Sequence, residues 1–370
     1  MLIAASASVM AEIFAGNKMP EGAAPLAQVY AGHQFGGFSP QLGDGRAVLL
    51  GEVVDRGGNR RDIQLKGSGR TPYSRRGDGR AWLGPVLREY VLSEAMHCLG
   101  IPTTRAWAAV LTGEAVFREE ALPGAVLTRV AGSQIRVGTC HDSAGRQDVE
   151  AREALFSYAR DRHYPHAVTP LDFLWAVIER QVKLVVQWLS IGFIHGVMNT
   201  DNMSILGLTL DYGPYGFMEA YEPGYICNHS DHEGRYAFKN QPQIGLFNVS
   251  CLAQALLPLI EVDDAKAALE DYQPAYIERY HQLMASKLGF EQPDENNETL
   301  CKSLLEQMKQ SRADYTTVFR QLAYIDDEGQ DCHAELRDLF VDREKLTQWL
   351  SEYRAQLQQQ GKAEAARREA

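Results

Sequence analysis

The segment "TPLDFLWAVIERQVKLVVQWLSIG", residues 169–192, constrains this chain more than any other. Leu171, Leu174, Val177, Ile178, Val182, Val185, Trp188 and Leu189 recur at three- and four-residue spacing, which predicts a long helix with a broad apolar stripe. A stripe that wide has to be buried, so the rest of the chain must be built around it. It stops at Gly192 and is followed by "FIHGVMNTDNMSILGLTLDYGPYGF", residues 193–217. There His195, Asp201, Asn202 and Asp211 stand among small and apolar neighbours. Carboxylates in such surroundings are costly unless they are paired or bind a ligand. Chemistry is therefore sought here first.

The chain has 370 residues, 45% of them hydrophobic, enough for a large core and suggestive of a two-part body. A net charge of −11 argues against nucleic-acid or anionic-membrane partners, both of which require a basic face. Cysteines 98, 140, 227, 251, 301 and 332 are scattered without a CxxC pair, the usage of a reduced intracellular protein. The amino terminus has no cation before its apolar part and carries Glu12 within it, unlike a secretory signal. No apolar run reaches membrane-spanning length. A cytoplasmic protein is expected.

Up to about residue 140 the signals are mostly strand and turn. "AVLLGEVV" and "DIQLKG" flank the turn "DRGGNRR" and predict a hairpin. One helix interrupts, "GPVLREYVLSEAMHCLG", with Pro85 in its first turn and Gly100 past its end. "RAWAAVLT", "AVFRE" and "AVLTRVA" read as further short strands. Beyond about residue 145 helical periodicity prevails, at 249–260, 264–288, 298–311, 313–323 and 342–358, and the final "AQLQQQGKAEAARREA" is expected to fray. The order predicts an α+β, bilobal fold resembling that of protein kinases. Residues 1–140 would form a small β-rich lobe with one main helix, and residues 141–370 a large helical one.

Kinases carry a catalytic Asp, a metal-binding Asn and then the Asp of Asp-Phe-Gly. Asp201-Asn202 followed by Asp211-Tyr212-Gly213 is similar in order, and such oxygen donors suit Mg²⁺ or Mn²⁺. "HGVMNTDN" departs from the His-Arg-Asp loop, with Gly196 and Val197 in place of Arg and Asp, and a turn with capping carboxylates is the alternative. Upstream, Gly43 and Gly45 stand at the mouth of the hairpin, where backbone can approach phosphate, or simply turn. Lys66 ends a strand, and Glu89 follows within the helix, the order of the kinase ion pair; Glu94 is the rival carboxylate. "KGSGRTPYSRRGDGRAW" is dense in Arg and Gly, as polyphosphate-binding loops are and as solvated basic loops also are. Arg129 and Arg136 are further cations for the same cleft. Cys227, His229, Asp231 and His232 are too crowded to converge on zinc, and His33 reads as a packed or capping residue.

"YAGHQFGGFSPQLGDGRAVLLGE", "QLKGSGRTPYSRRGDGRA", "LREYVLSEAMHCLGIPTTRA", "HGVMNTDNMSILGLTLDYGPYGFM" and "NHSDHEGRYAFKNQP" resemble the selenoprotein O family, also called protein adenylyltransferase or YdiU-like. The resemblance runs from about residue 10 to the end. It implies a kinase-like fold that binds ATP in a flipped orientation and transfers AMP to Ser, Thr or Tyr hydroxyls of proteins. UMP from UTP with Mn²⁺, γ-phosphate transfer and a non-catalytic nucleotide-binding scaffold are the alternatives. By the same resemblance Gly43, Gly45 and Arg46 would cradle phosphates, and Lys66 would contact them while paired with Glu89. Asp78 and Gly79 would lie at the nucleotide, with Arg129 and Arg136 on phosphate. Asp201 would be the catalytic base, and Asn202 and Asp211 would hold Mg²⁺ or Mn²⁺. Members of that family carry more chain at both ends, so this sequence resembles a shortened member. Their C-terminal Cys or selenocysteine segment does not follow Ala370, so redox regulation through it is not among the expectations.

Overall fold

In the computed structural model, which describes residues 6–146, 148–257, 259–325 and 334–360, the chain is a mixed α/β protein. Helix α1 (Ala7–Phe14) is capped by the Ser6 hydroxyl, which accepts the Val9 amide. Strands β1 (Gly32–Gln34) and β2 (Gly37–Ser39) form a two-stranded ribbon. β3 (Ala47–Val54) and β4 (Arg60–Lys66) are the expected hairpin, registered Ala47 to Lys66. Its turn is held by Asp55 Oδ1, which accepts the Gly57 and Asn59 amides at 2.9 Å. β5 (Ala81–Trp82), α2 (Leu83–Cys98), β6 (Arg105–Phe117) and β7 (Ala121–Ala131) complete a five-stranded sheet ordered β3-β4-β7-β5, with β6 also on β7. The segments "RAWAAVLT" and "AVFRE" are one strand, not two. A register shift between Leu111 and Ala115, with Gly113 at φ 75°, absorbs the irregularity and lets pairing resume.

Successive side chains of a strand face opposite sides, and both sides of this sheet are covered. Ile63 and Leu65 of β4 and Val126 of β7 pack with Ile13, Phe14 and Leu50 on the α1 side. Ala125 and Leu127 of β7 pack with Val86 and Ala106 on the α2 side. That alternation turns Gln64, Lys66 and Arg129 toward α2 as well.

Helices α3 (Val137–Gly145), α4 (Val149–His163) and α5 (Pro170–Ser190) follow. Leu174, Val177, Ile178, Val182, Val185, Trp188 and Leu189 of the α5 stripe are buried. After β8 (Phe193–Ile194) and β9 (Gly216–Phe217) come α6 (Gln241–Leu256), α7 (Val262–Glu270), α8 (Tyr272–Lys287), α9 (Glu295–Ser311), α10 (Tyr315–Leu322), α11 (Ala334–Asp338) and α12 (Arg343–Gln360). The helix expected at 249–260 starts eight residues earlier, with Pro242 in its first turn where a missing N–H costs nothing. The one expected at 264–288 is two, because the ring of Pro274 is incompatible with a helix continuing through the carbonyl of Glu270. The segment expected to fray, residues 355–370, is instead helical as far as Gln360, because Leu357 is buried and Gln356 bonds to Asp294; residues 361–370 lie outside the described ones.

The chain divides into two compact units. One comprises Met1–Leu184, Val197–Gly213 and Leu246–Leu269, and contains the sheet, α1 to α4 and the Asp201–Asp211 segment. The other comprises Val185–Gly196, Pro214–Gly245 and Glu270–Ala370 and is mainly helical. No helix among the described residues is long and apolar enough to cross a membrane.

Candidate active site

In α2, Val86, Glu89, Ser93 and Met96 recur at helical spacing and are buried, so Glu89 is carried on the stripe that faces the sheet. There it meets the two cations that strand alternation sends to the same side. Lys66 Nζ lies 2.8 Å from Glu89 Oε2, and Arg129 Nε donates to Glu89 Oε1. Gln64, opposite Arg129 in the β4–β7 register, accepts from Arg129 Nη1 at 3.3 Å. Glu94 pairs instead with Arg105.

Asp211 completes this cluster. Lys66 Nζ stands 2.8 Å from its Oδ1, Arg129 Nη2 donates to the same oxygen, and Arg136 Nη1 donates to Oδ2 at 2.5 Å. Burial favours a neutral Asp211 carboxyl, but Arg129, Arg136 and Lys66 outweigh it and hold its pKa well below the usual range. Glu89 is lowered in the same way, burial being overcome by Arg129 and Lys66. Asp211 has φ 59°, a left-handed backbone that a non-glycine residue adopts only when its surroundings impose it. They do. Tyr212 is buried with its hydroxyl bonded to that of Thr103, and Thr209 pairs with Thr103 in a parallel bridge.

Asp201 sits on a 3₁₀ turn (Thr200–Asn202) against β1. Its Oδ2 accepts Gln34 Nε2 at 3.1 Å, and its Oδ1 is buried with no hydrogen-bond partner. Burial, opposed by Gln34 and Arg136, raises its pKa. Arg136 links the Asp211 carboxylate to the Asp201 main chain: Nη1 also donates to the Asp201 backbone carbonyl at 2.7 Å, and the guanidinium lies 4.7 Å from the Tyr30 ring centroid. Arg136 Nη2 is 3.6 Å from Asp44, and Arg136 Nε is buried without a partner. A donor and an acceptor thus stand unmatched within one constellation of buried charge, unusual for groups this deep.

The structure brings together Lys66, Glu89, Arg129, Arg136, Asp201 and Asp211. Asn202 adjoins them in sequence and donates its amide to the Val197 carbonyl at 3.1 Å. The glycine-rich residues lie differently. A Cβ on Gly43 would meet the Tyr73 ring at 2.4 Å, and one on Gly45 the Tyr73 carbonyl at 2.9 Å, so both serve close packing of the 71–74 loop. The Arg46 side chain is exposed. Asp78 bonds to Arg118 and to the Arg80 amide, which bring its pKa down to about 2 despite some burial. Gly79 has φ 68° and no room for a Cβ against the Gly69 carbonyl. In the other unit, Asp231 accepts the Arg235 and Tyr236 amides, a turn cap.

Sequence reasoning missed four contributors: Tyr30, Gly32, Gln34 and Asp44. A Cβ on Gly32 would come within 2.4 Å of Asp201 Oδ1, so that glycine makes space for the carboxylate. Asp44 is buried between Gly43 and Gly45 and accepts from Gln64 Nε2 at 3.1 Å and the Gln28 amide at 3.3 Å. A carboxylate between two glycines was the available signal for Asp44. For Gln34 there was none, since its partner is 167 residues away.

Comparison with known proteins bears on what this constellation does. The family profile described as "Protein adenylyltransferase SelO" matches residues 4–370. The chain is 52% identical over 369 residues to a protein named "Protein nucleotidyltransferase YdiU" from Roseobacter denitrificans, covering 98% of this chain and 76% of that one. A protein of the same name from Cereibacter sphaeroides is 54% identical over 359 residues, covering 94% and 74%. One from a Bradyrhizobium species is 53% identical over 367 residues, covering 96% and 74%.

Proposed function

The chain belongs to the protein adenylyltransferase SelO family and is a protein nucleotidyltransferase, and we propose that it moves AMP from ATP onto Ser, Thr or Tyr hydroxyls of target proteins. The observation that carries this reading is the convergence of Lys66, Arg129 and Arg136 on Asp211, beside Asp201. In the proposed reaction a substrate hydroxyl oxygen attacks the α-phosphorus. The bond to the bridging oxygen breaks, pyrophosphate leaves with that electron pair, and the hydroxyl proton passes to Asp201 Oδ1. Asp201 suits the role of base in two ways. One of its oxygens has no partner, and burial has moved its pKa upward, which makes it a stronger base.

The departing pyrophosphate is the more demanding part, because its charge accumulates away from bulk water. Lys66, Arg129 and Arg136 are cations fixed before the reaction, so they need little reorganisation to stabilise it. The unmatched Nε of Arg136 is a ready donor for a phosphate oxygen. Glu89 keeps Lys66 and Arg129 in place.

The donor set also suits a divalent cation: Asp211 and Asn202 offer hard oxygens and would hold Mg²⁺ or Mn²⁺, with Asp211 exchanging some of the Lys66, Arg129 and Arg136 contacts that occupy both its oxygens for the ion. Such an ion, when bound, would neutralise phosphate charge. A kinase-like arrangement, with residues 1–140 as a β-rich lobe and 141–370 as a helical one, is the architecture we propose for this chemistry. Gly43, Gly45, Arg46, Asp78 and Gly79 are proposed to shape the phosphate-facing loops from behind.

Incubation of the protein and a target with ATP labelled on the α-phosphate, and separately on the γ-phosphate, tests the reading. Protein-bound label from the α-position alone is expected. Label from the γ-position overturns it in favour of phosphoryl transfer. Mass addition of UMP in a mixture of nucleotides would replace AMP with UMP.

A further inference from the structure

Three residues outside the proposed reaction converge elsewhere in the sheet-bearing unit. His33 is the middle residue of β1, His141 lies on α3 and Cys251 on α6. One ligand atom from each lies within 4.8 Å of the other two, and Cys251 Sγ is 3.7 Å from His33 Nδ1. A tetrahedral zinc site with N at 2.0–2.1 Å and S at 2.3 Å has an N-to-S edge of about 3.6 Å. The separation already matches that edge.

His141 supplies the second observation. It is buried, 7% exposed, and its Nδ1 has no hydrogen-bond partner. The ring is bonded to the Cys251 backbone. Since Nδ1 is unpartnered, that bond falls to Nε2–H and the Cys251 carbonyl, which leaves the Nδ1 lone pair available to ligate. Histidines that ligate metals are commonly oriented this way, one nitrogen on the ion and the other donating to a carbonyl. Two aromatic rings flank His33: those of Phe38 and Phe247 have centroids 4.9 and 5.5 Å from that of His33.

The geometry points to a zinc-type divalent transition-metal site formed by His33, His141 and Cys251, separate from the oxygen donors proposed for Mg²⁺ or Mn²⁺. Imidazole and thiolate select such a metal over hard cations. Three protein ligands leave a fourth position for water. Binding releases the Cys251 thiol proton to solvent, because thiolate is the ligating form. The three elements involved also carry the candidate active site. β1 contributes Gly32 and Gln34 to Asp201, α3 begins next to Arg136, and α6 holds the Met198 carbonyl through Asn248 at 3.0 Å. An ion here would brace that segment from behind.

Titration of the reduced, chelator-stripped full chain with Co²⁺, and in parallel with Zn²⁺, tests this. Wild type should take up one equivalent of Co²⁺, with a near-ultraviolet thiolate-to-cobalt charge-transfer band that Zn²⁺ displaces, and Zn²⁺ should raise its Tm. Because the chain has six cysteines, Cys251→Ser identifies the thiolate. His141→Phe is the second variant, since a phenyl ring preserves the packing if the serine variant fails to fold. Loss of the band and of the Zn²⁺-dependent Tm shift in both folded variants is expected. A band absent from wild type, or surviving in either folded variant, overturns the site. The readout is independent of nucleotidyl transfer, so it stands or falls separately from the reaction proposed above.

Discussion

Lys66 Nζ and Asp211 Oδ1 lie 2.8 Å apart although 145 residues separate them in the chain. Lys66 ends a strand and Asp211 occupies a left-handed turn, and neither position is set by the other's local sequence. With Arg129 and Arg136 on the same carboxylate, Asp211 is the hub of three cations. Removing it leaves those cations facing one another. Asp211→Ala should abolish transfer and metal-dependent nucleotide binding, and should cost roughly 3–5 kcal/mol of stability, as loss of one partner from a buried ion cluster does. Isothermal titration with ATP and Mg²⁺, alongside denaturant unfolding, checks both. Wild-type auto-modification by this variant would remove Asp211 from the site.

Asp201→Asn retains the shape but cannot accept a proton. Nucleotide binding should persist while kcat falls about 10²- to 10⁴-fold, the usual contribution of a general base. The pH dependence carries a sign. Asp201 must be ionised to act, and burial raises its pKa above 3.8, so transfer should fall as pH drops through that raised value. Gln34 opposes the shift, and Gln34→Ala should therefore move the acid limb of the pH–rate profile to higher pH.

Glu89→Gln tests the buried pair directly. The folded pKa of Glu89 lies below the ordinary 4.5, so its pairing adds stability that is complete above about pH 4.5 and fades as pH falls through the lower folded value. Asp211 contributes with the same sign. Urea unfolding across a pH series should show a shallower acid loss for Glu89→Gln than for wild type. Lys66→Ala should weaken turnover strongly, and wild-type kinetics in that variant would refute the role assigned to the pair.

Gly32→Ala places a methyl group where Asp201 Oδ1 stands, 2.4 Å away, whereas the nearest neighbour of a Cβ on Gly37 is a carbonyl at 3.5 Å. The first substitution should collapse transfer and the second should leave it near wild type. Equal activity in the two proteins would mean that Asp201 tolerates displacement and is not the base.

The amino-acid sequence by itself determined the parts whose cause is local. The α5 stripe, the β3–β4 hairpin about its Gly-rich turn and α2 between Pro85 and Gly100 follow from periodicity, turn chemistry and capping, which act over a few residues. It also marked Lys66, Glu89, Arg129, Arg136, Asp201 and Asp211, since charge within apolar segments is conspicuous in a string of letters. Only the tertiary structure decided which of these meet. Glu89 rather than Glu94 faces Lys66 because helical phase and strand alternation coincide at the sheet, and Arg105 takes the other carboxylate. Gly43 and Gly45 look alike in sequence whether they serve a phosphate or a tyrosine, and Tyr73 fills that space here. Gln34 and Gly32 acquire their relation to Asp201, and His33 its relation to His141 and Cys251, only when segments distant in the chain are packed together. Contacts of that kind depend on where whole elements come to rest, which short-range preferences do not encode.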